Sequence, residues 1–446
     1  MKHPKRLLNK NFLLLWQGQT VSLVGTQIST IAMLFWLKHA TESPVVMGSM
    51  QMITGLVAVL LGPVGGAFAD RYSRRSIIII CDVISGVVMI SLAALLWLYP
   101  GSMTLSLIGI FTVSIGLASI GSFFGPAISA SIPDLAPHDK VTGANSMLQS
   151  TMQLAGLLGQ GIGGVLFRLL GAPMVFFIDG WTYLFSAFTE CFMKIPQHIP
   201  DKEGDWKNQI SQFKDEILEG LRYIRQNRGL LQLVLLSTFV SFFISPIIGL
   251  LTFYVEDHLK LTPDWFGYLL MIYGLGNVVG FLVAGTVKLS GKLRSQAILS
   301  CFIIEAIVYG LLGLVLTPVP VASLAFIAGN TTGFVSVHIM TILQVSTPGE
   351  IRGRVFGLLA TISGCITPLG MGLGGVIASV TGKNIPLIYV ICGCCILILT
   401  LWGASSHLLR EFLAYEEPAE DELLEEGLLP VSQPPIIAMA KNLPRK

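Results

Sequence analysis

Charge is what this chain has least of. Asp, Glu, Lys and Arg make up 12% of its 446 residues, about half of the roughly 25% usual in a soluble globular domain. The 28 basic and 26 acidic residues nearly cancel, leaving a net charge of +2. A nucleic-acid binder needs a strong basic excess, so that class is excluded. No Gly-x4-Gly-Lys-Ser/Thr loop is present, which excludes direct use of ATP by this chain. The seven cysteines all fall in apolar runs, with no CxxC pair in a polar loop. No zinc site, other metal or cofactor is therefore expected. The loops hold no nucleophile–base set, so the chain is not read as an enzyme. Lys2, Lys5, Arg6 and Lys10 precede the first apolar segment without a small-residue cleavage site, which reads as an anchor helix.

What is abundant is apolar surface: 53% of the residues are hydrophobic and the mean hydropathy is +0.73. A membrane-crossing helix takes about 20 apolar residues, so there is material for about a dozen. Hydropathy places them at 12–37, 45–69, 76–99, 103–125, 141–167, 173–193, 230–254, 264–287, 295–316, 319–345, 353–380 and 385–407. Only 194–229 and 408–446 are long and polar. The expectation is an all-α membrane protein of twelve transmembrane helices in two pseudo-symmetric six-helix bundles, 1–193 and 230–407. A cytoplasmic linker, 194–229, joins them, and 408–446 forms a flexible cytoplasmic tail. Within the linker, Ile210, Phe213, Ile217, Leu221 and Ile224 recur at helical spacing, which predicts an amphipathic helix on the membrane surface. Of the 28 Lys and Arg, 24 lie on the side of the N-terminus; only Lys38, Arg168, Lys260 and Lys383 lie opposite. Positive residues mark the cytoplasmic side, so both termini are expected there, in a plasma (inner) membrane.

The halves carry a worn repeat. A shift of 219 residues lays Gly66, Arg75 and Ser76 on Gly285, Arg294 and Ser295, while Asp70 and Arg74 find no match. In the first copy Gly66, Asp70, Arg71, Arg74 and Arg75 form a Gly-x3-Asp-Arg-x2-Arg-Arg loop between spans 2 and 3. A glycine allows a close-packed exit from the membrane. A carboxylate there can face a helix N-terminus, and arginines can pair with acids of neighbouring helices or with lipid phosphates. Such a cluster, with Asp82 nearby in span 3, would latch the halves in one state.

This loop resembles the signature of the major facilitator superfamily, and the likeness runs along most of the chain. Phe12 to Gln19 with Ser22–Gly25, Phe124–Ala127, Pro133–Leu135, Ala144-Asn145, Phe177–Asp179, Glu219–Arg225 and Arg352–Gly357 are similar to the branch of macrolide efflux proteins and enterobactin exporters. The resemblance implies a secondary transporter, monomeric, exporting a hydrophobic or amphipathic small molecule by alternating access, with protons as possible coupling ion and lipids around it. It hands over no coupling residue: span 4 is uncharged, and Thr26 stands where relatives often carry an acid.

In this fold spans 1, 4, 7 and 10 are expected at the cavity. Gln19, Ser22, Thr26 and Thr30 share one face of span 1, which also carries Gln27. Gln149 and Gln153 share a face of span 5, and span 10 brings Asn330, Thr331 and Ser336. Together they describe a polar, nearly uncharged cavity suited to an amphipathic organic molecule. An ionisable group at membrane depth needs a reason. Glu305 in span 9 and His338 in span 10 are the coupling candidates, each against a structural hydrogen bond. Asp179 and Glu190 are expected to have structural partners. Two other readings stay open: a transporter or flippase of lipid-like solutes, and a receptor or scaffold that transports nothing.

Overall fold

The computed structural model describes residues 8–137, 140–195, 218–287 and 289–415. Among them, eleven helices are long and apolar enough to cross a membrane. The helix Val141–Glu190 is 50 residues long, twice what one crossing needs. It breaks at Gly171, whose φ of 74° and ψ of 161° leave the helical region, a conformation that glycine reaches at little cost. Two crossings result, α5 (141–170) and α6 (172–190), and the total is twelve. The others are α1 (Lys10–Thr41), α2 (Pro44–Arg71), α3 (Arg74–Leu98), α4 (Met103–Leu135), α7 (Arg228–Gly249), α8 (Asp264–Thr286), α9 (Gly291–Leu312), α10 (Pro318–Ser346), α11 (Gly349–Val380) and α12 (Ile385–Ser405).

The helix pairings repeat six elements apart. In the first set α1 packs on α5 and α6, α2 on α4, and α3 on α4 and α6. In the second, α7 packs on α11 and α12, α8 on α10, and α9 on α10 and α12. The sets meet through two seams, α2 against α11 and α5 against α8. At the second seam a Cβ on Gly267 would lie 2.5 Å from the Gly161 carbonyl oxygen. Only a residue without a side chain lets these backbones touch, the way small residues serve helix contacts in lipid.

Neither seam is close along its whole length. Contacts between α2 and α11 run from Pro44 beside Gly375 to Val59 beside Gly364. Farther along, Gly62, Gly66, Gly353 and Gly357 would meet nothing within 4 Å if given a side chain. The α5–α8 contacts run from Gly164 beside Pro263 to Leu157 beside Gly274, and Gly156 and Gly285 beyond them meet nothing. The two sets therefore join at the end opposite the N-terminus and part at the end that bears it.

The tail begins later than expected. His407–Leu413 forms a further helix, α13, lying on α7 and α9, with Leu409, Phe412 and Leu413 buried. Three of the four apolar residues of 408–413 find cover there, Leu408 staying exposed, which polar composition averaged over the whole tail conceals. Residues 416–446, and 209–217 of the expected linker helix, lie outside the described residues. Of that helix, 218–226 is seen, held by Arg354 Nη1 to Glu219 Oε2 at 2.5 Å and by the Tyr223 hydroxyl donating to the Ser346 carbonyl at 3.0 Å.

Candidate functional site: the joined end, the open end and the cavity between α7, α9 and α10

The joined end is built by charge. Lys38, in the last turn of α1, is almost fully buried and places Nζ 2.5 Å from Glu256 Oε2 and 2.9 Å from Asp257 Oδ1. His39 Nε2 stands 3.0 Å from Glu256 Oε1. Both acids sit in a π-helical turn, Tyr254–His258, closed by the Leu259 amide donating to the Tyr254 carbonyl at 2.9 Å. That extra residue in the turn is the kind of local departure found at functional sites. Burial works against the Glu256 charge, but hydrogen bonds from His39 and Lys38 and the Lys38 charge outweigh it, so its carboxyl titrates below the ordinary value.

Two further pairs flank this one. Arg168 Nη2 of α5 lies 3.0 Å from Asp264 Oδ2 of α8, and Lys383 Nζ lies 3.6 Å from Glu42 Oε2. Glu42 and Lys383 join α1 to α2 and α11 to α12, and both hold left-handed backbone, at φ of 48° and 62°. All three links cross between the six-helix sets. No charge of the Gly66–Arg75 loop does so among the described residues.

That loop works inside the first set. Arg74 donates to Asp134 Oδ2 and to the Ala130 carbonyl, each at 2.7 Å, and lies 4.0 Å from the exposed Asp70. Arg75 donates to the Cys191 carbonyl at 2.6 Å, just past the end of α6. Its repeat partner Arg294 donates to the Leu413 carbonyl at 3.1 Å and to that of Tyr415, at the end of α13. The repeat thus keeps a cation at the C-terminus of a helix, where the dipole favours it. Arg71 is half-buried at the end of α2, and Gly66 meets nothing within 4 Å.

Asp82 does not belong to the loop cluster. It is buried on α3, beside Ser186 and Glu190 of α6. Glu190 Oε1 accepts from Gln19 Nε2 at 2.9 Å and from the Ser186 hydroxyl at 3.4 Å. The polar face of α1 is likewise turned into its own bundle. Gln19 and Ser22 are buried, and the Thr26 hydroxyl meets the Tyr183 hydroxyl at 2.8 Å. Ser29 donates to Asp179. The expectation that Gln19, Ser22 and Thr26 line the cavity is therefore corrected. In lipid a polar stripe also holds helices together, and here it serves the α1–α6 contact. Gln27 packs on α5 at Gly159. Thr30, Gln149 and Gln153 are exposed.

On α10, Thr331 is buried and bonded to its own helix, at the Ile327 and Ala328 carbonyls. Asn330 is half-buried with its backbone against Gly276 and Gly280 of α8. His338 is buried, its Nδ1 3.0 Å from the Phe334 carbonyl and its ring 4.3 Å from that of Phe334. The structural alternative describes it better than coupling does. Ser336 is exposed at a cavity of about 390 Å³ between α7, α9 and α10, whose wall also includes Thr332 and Glu305. The expected neutral lining thus gains a carboxyl from a helix expected to stand outside the cavity. A gap between α7 and α10 lets α9 reach the space, and hydropathy alone does not reveal such a gap.

The Major Facilitator Superfamily model matches this chain over residues 15–366 and again over 234–439. Macrolide efflux protein A of Streptococcus pyogenes is 27% identical over 382 residues, covering 84% of this chain and 90% of that protein. Multidrug efflux pump Tap of Mycobacterium bovis is 23% identical over 355 residues, covering 76% and 79%. Among solved structures, a bacterial homologue of the iron transporter ferroportin in an inward-facing state matches with a TM-score of 0.68 at 12% identity, covering 90% of this chain and all of that one. A D-xylose–proton symporter matches with a TM-score of 0.67 at 16% identity, over 92% of this chain. Twelve apolar crossings in two sets paired alike, two seams between them and a family match over most of the length agree: the chain is a multi-pass membrane protein belonging to the Major Facilitator Superfamily.

Proposed function

We propose that this transporter exports amphipathic drug-like molecules, macrolides among them, from the cytoplasm across the plasma membrane by alternating access. The sixes 1–193 and 230–407 rock about their two seams, tied by the linker 194–229. The observation that carries this reading is the contrast of ends: three cross-bundle ion links at one, a parted cleft at the other. With the N-terminus cytoplasmic, as the distribution of positive charge implies, the described state is open inward. Export then requires Lys38, Arg168 and Lys383 to release their acids while the Asp70–Arg74–Asp134 group comes to close the inner end. A static receptor or scaffold has no use for charge pairs that, among the described residues, cross a splitting interface at one end alone.

The experiment is a susceptibility panel in a pump-deficient bacterial host, with macrolides and unrelated amphiphiles, with and without a protonophore. Expression of the chain is expected to lower accumulation of at least one compound, and the protonophore to restore it. Unchanged accumulation of every compound overturns export. Export that survives the protonophore overturns coupling to protons.

A further inference from the structure

The buried acids of this chain differ in what they face. Glu190 and Asp179 accept hydrogen bonds from Gln19 and Ser29 of α1, and Asp82 lies beside Ser186 and Glu190 of α6. Glu305 is 2% exposed, and the Thr332 hydroxyl lies between its Oε1 and the Ala328 carbonyl. Unlike the other three, it forms part of the wall of the cavity of about 390 Å³. Among the described residues no Lys, Arg or His forms an ion pair with it. The rest of that wall is hydroxyl at Ser237, Ser241 and Ser336 and otherwise apolar, as at Phe302 and Met340. The cavity lies in the half of the molecule where the sixes part, and Ser336 and Met340 are its exposed members.

These features select a chemistry. A carboxylate in an apolar wall lacks a counter-charge, and a cation brought to it forms a charge-assisted hydrogen bond at short range in a medium of low dielectric. A neutral donor can hydrogen-bond the carboxylate but brings no opposite charge to it, and an anion is repelled. A bare metal ion is a poor fit: calcium takes six to eight oxygen ligands and magnesium an octahedron, whereas this wall offers one carboxylate, a few hydroxyls and mostly carbon. The volume falls in the roughly 300–1,000 Å³ range of sites for organic ligands. We infer that the cavity between α7, α9 and α10 binds an amphipathic organic cation, a protonated amine or a quaternary centre, with Glu305 as its counter-ion and Thr332 positioning the carboxylate. The assignment deepens the export reading and rests on it for its purpose, though not for the binding itself.

Purified full-length protein in detergent, with ethidium as the probe and fluorescence anisotropy as the readout, tests this. Wild-type protein is expected to bind ethidium and to release it to tetraphenylphosphonium at a concentration about fivefold or more below that needed of uncharged triphenylphosphine oxide. E305Q keeps the shape and the Thr332 contact but removes the charge, and is expected to weaken ethidium by about fivefold or more. S336F fills the cavity mouth with the carboxylate intact and is expected to do the same; it decides the matter if E305Q does not yield monodisperse protein. Absence of ethidium binding to the wild type, a smaller loss in the variants, or equal displacement by oxide and phosphonium overturns the assignment. The susceptibility panel separates the two levels. Export of uncharged compounds with no effect of E305Q leaves the export reading standing without this site. Ethidium binding that depends on Glu305, with no compound exported, leaves the site standing without export.

Discussion

The two ends of this molecule are made of the same helices and held by different forces. At the end opposite the N-terminus, α2 meets α11 and α5 meets α8 at backbone distance, and Lys38, Arg168 and Lys383 reach acids of the other six. At the end bearing the N-terminus, the charges are more numerous, but Arg74 meets Asp134 and Arg75 the Cys191 carbonyl, both of their own six. Charge by itself therefore does not close an end. What closes it is charge placed across the seam and shielded from water: the Lys38 side chain is 5% exposed and that of Glu256 13%, where a fully solvated pair is worth about 0–1 kcal/mol.

Breaking the seam itself carries the largest expected effect. G267V sets a Cβ 2.5 Å from the Gly161 carbonyl oxygen and 2.6 Å from that of Gln160. Rigid backbone cannot yield as a flexible side chain would, so α5 and α8 must move apart. Export is expected to fall to background while membrane insertion, read by membrane-fraction yield, persists. K38M comes next. It strands Glu256 and Asp257 without their cation, and loss of one partner of a buried pair costs about 3 kcal/mol, or a factor of about 100 in the balance between closed and open. Reagent access to a single cysteine placed at Trp36, beside the pocket at the joined end lined also by His39 and Phe167, is expected to rise accordingly.

Acid sharpens the same comparison more gently. Glu256 titrates below its ordinary 4.5 while the end is joined, and its ordinary value returns once its partners leave. Its stabilisation is thus fully present above about pH 4.5 and is lost as the pH falls through the lowered value. With His39 replaced by Gln, so that the carboxylate dominates the titration, cysteine access at this end is expected to stay flat from neutrality to about pH 4.5 and to rise below it. In E256Q that rise is expected to vanish. The smallest effect belongs to the other end. Asp70 has a side chain 69% exposed and 4.0 Å from Arg74, so D70N is expected to leave the joined end untouched and to slow export by about threefold.

The sequence tells much about the crossings and less about the site, for a physical reason. A crossing is a sum over about 20 side chains, and each of the twelve expected spans has its helix, even where α5 and α6 run on and only Gly171 separates them. Which way one polar side chain points is not a sum. Gln19 and Thr26 have the same periodicity whether they face a cavity or α6, and they face α6. Glu305 and Asp82 carry the same type of charge, yet only a gap between α7 and α10 gives the first a cavity. The sequence does carry one signal: the four basic residues opposite the N-terminus share that side of the spans with Glu42, Glu256, Asp257 and Asp264. Opposite charges brought to one face from distant segments mark a joint, whereas the loop motif near Asp70 marks the other end.

Reciprocity of the ends is tested most directly by distances measured at both at once. Spin labels on a cysteine-depleted chain, at positions 42 and 383 for the joined end and 62 and 357 for the open end, report the two separations by pulsed electron resonance. Introducing K38M is expected to lengthen the 42–383 distance and shorten the 62–357 distance in the same molecules. A joined end that opens while the 62–357 distance stays as it was would contradict alternating access in this chain.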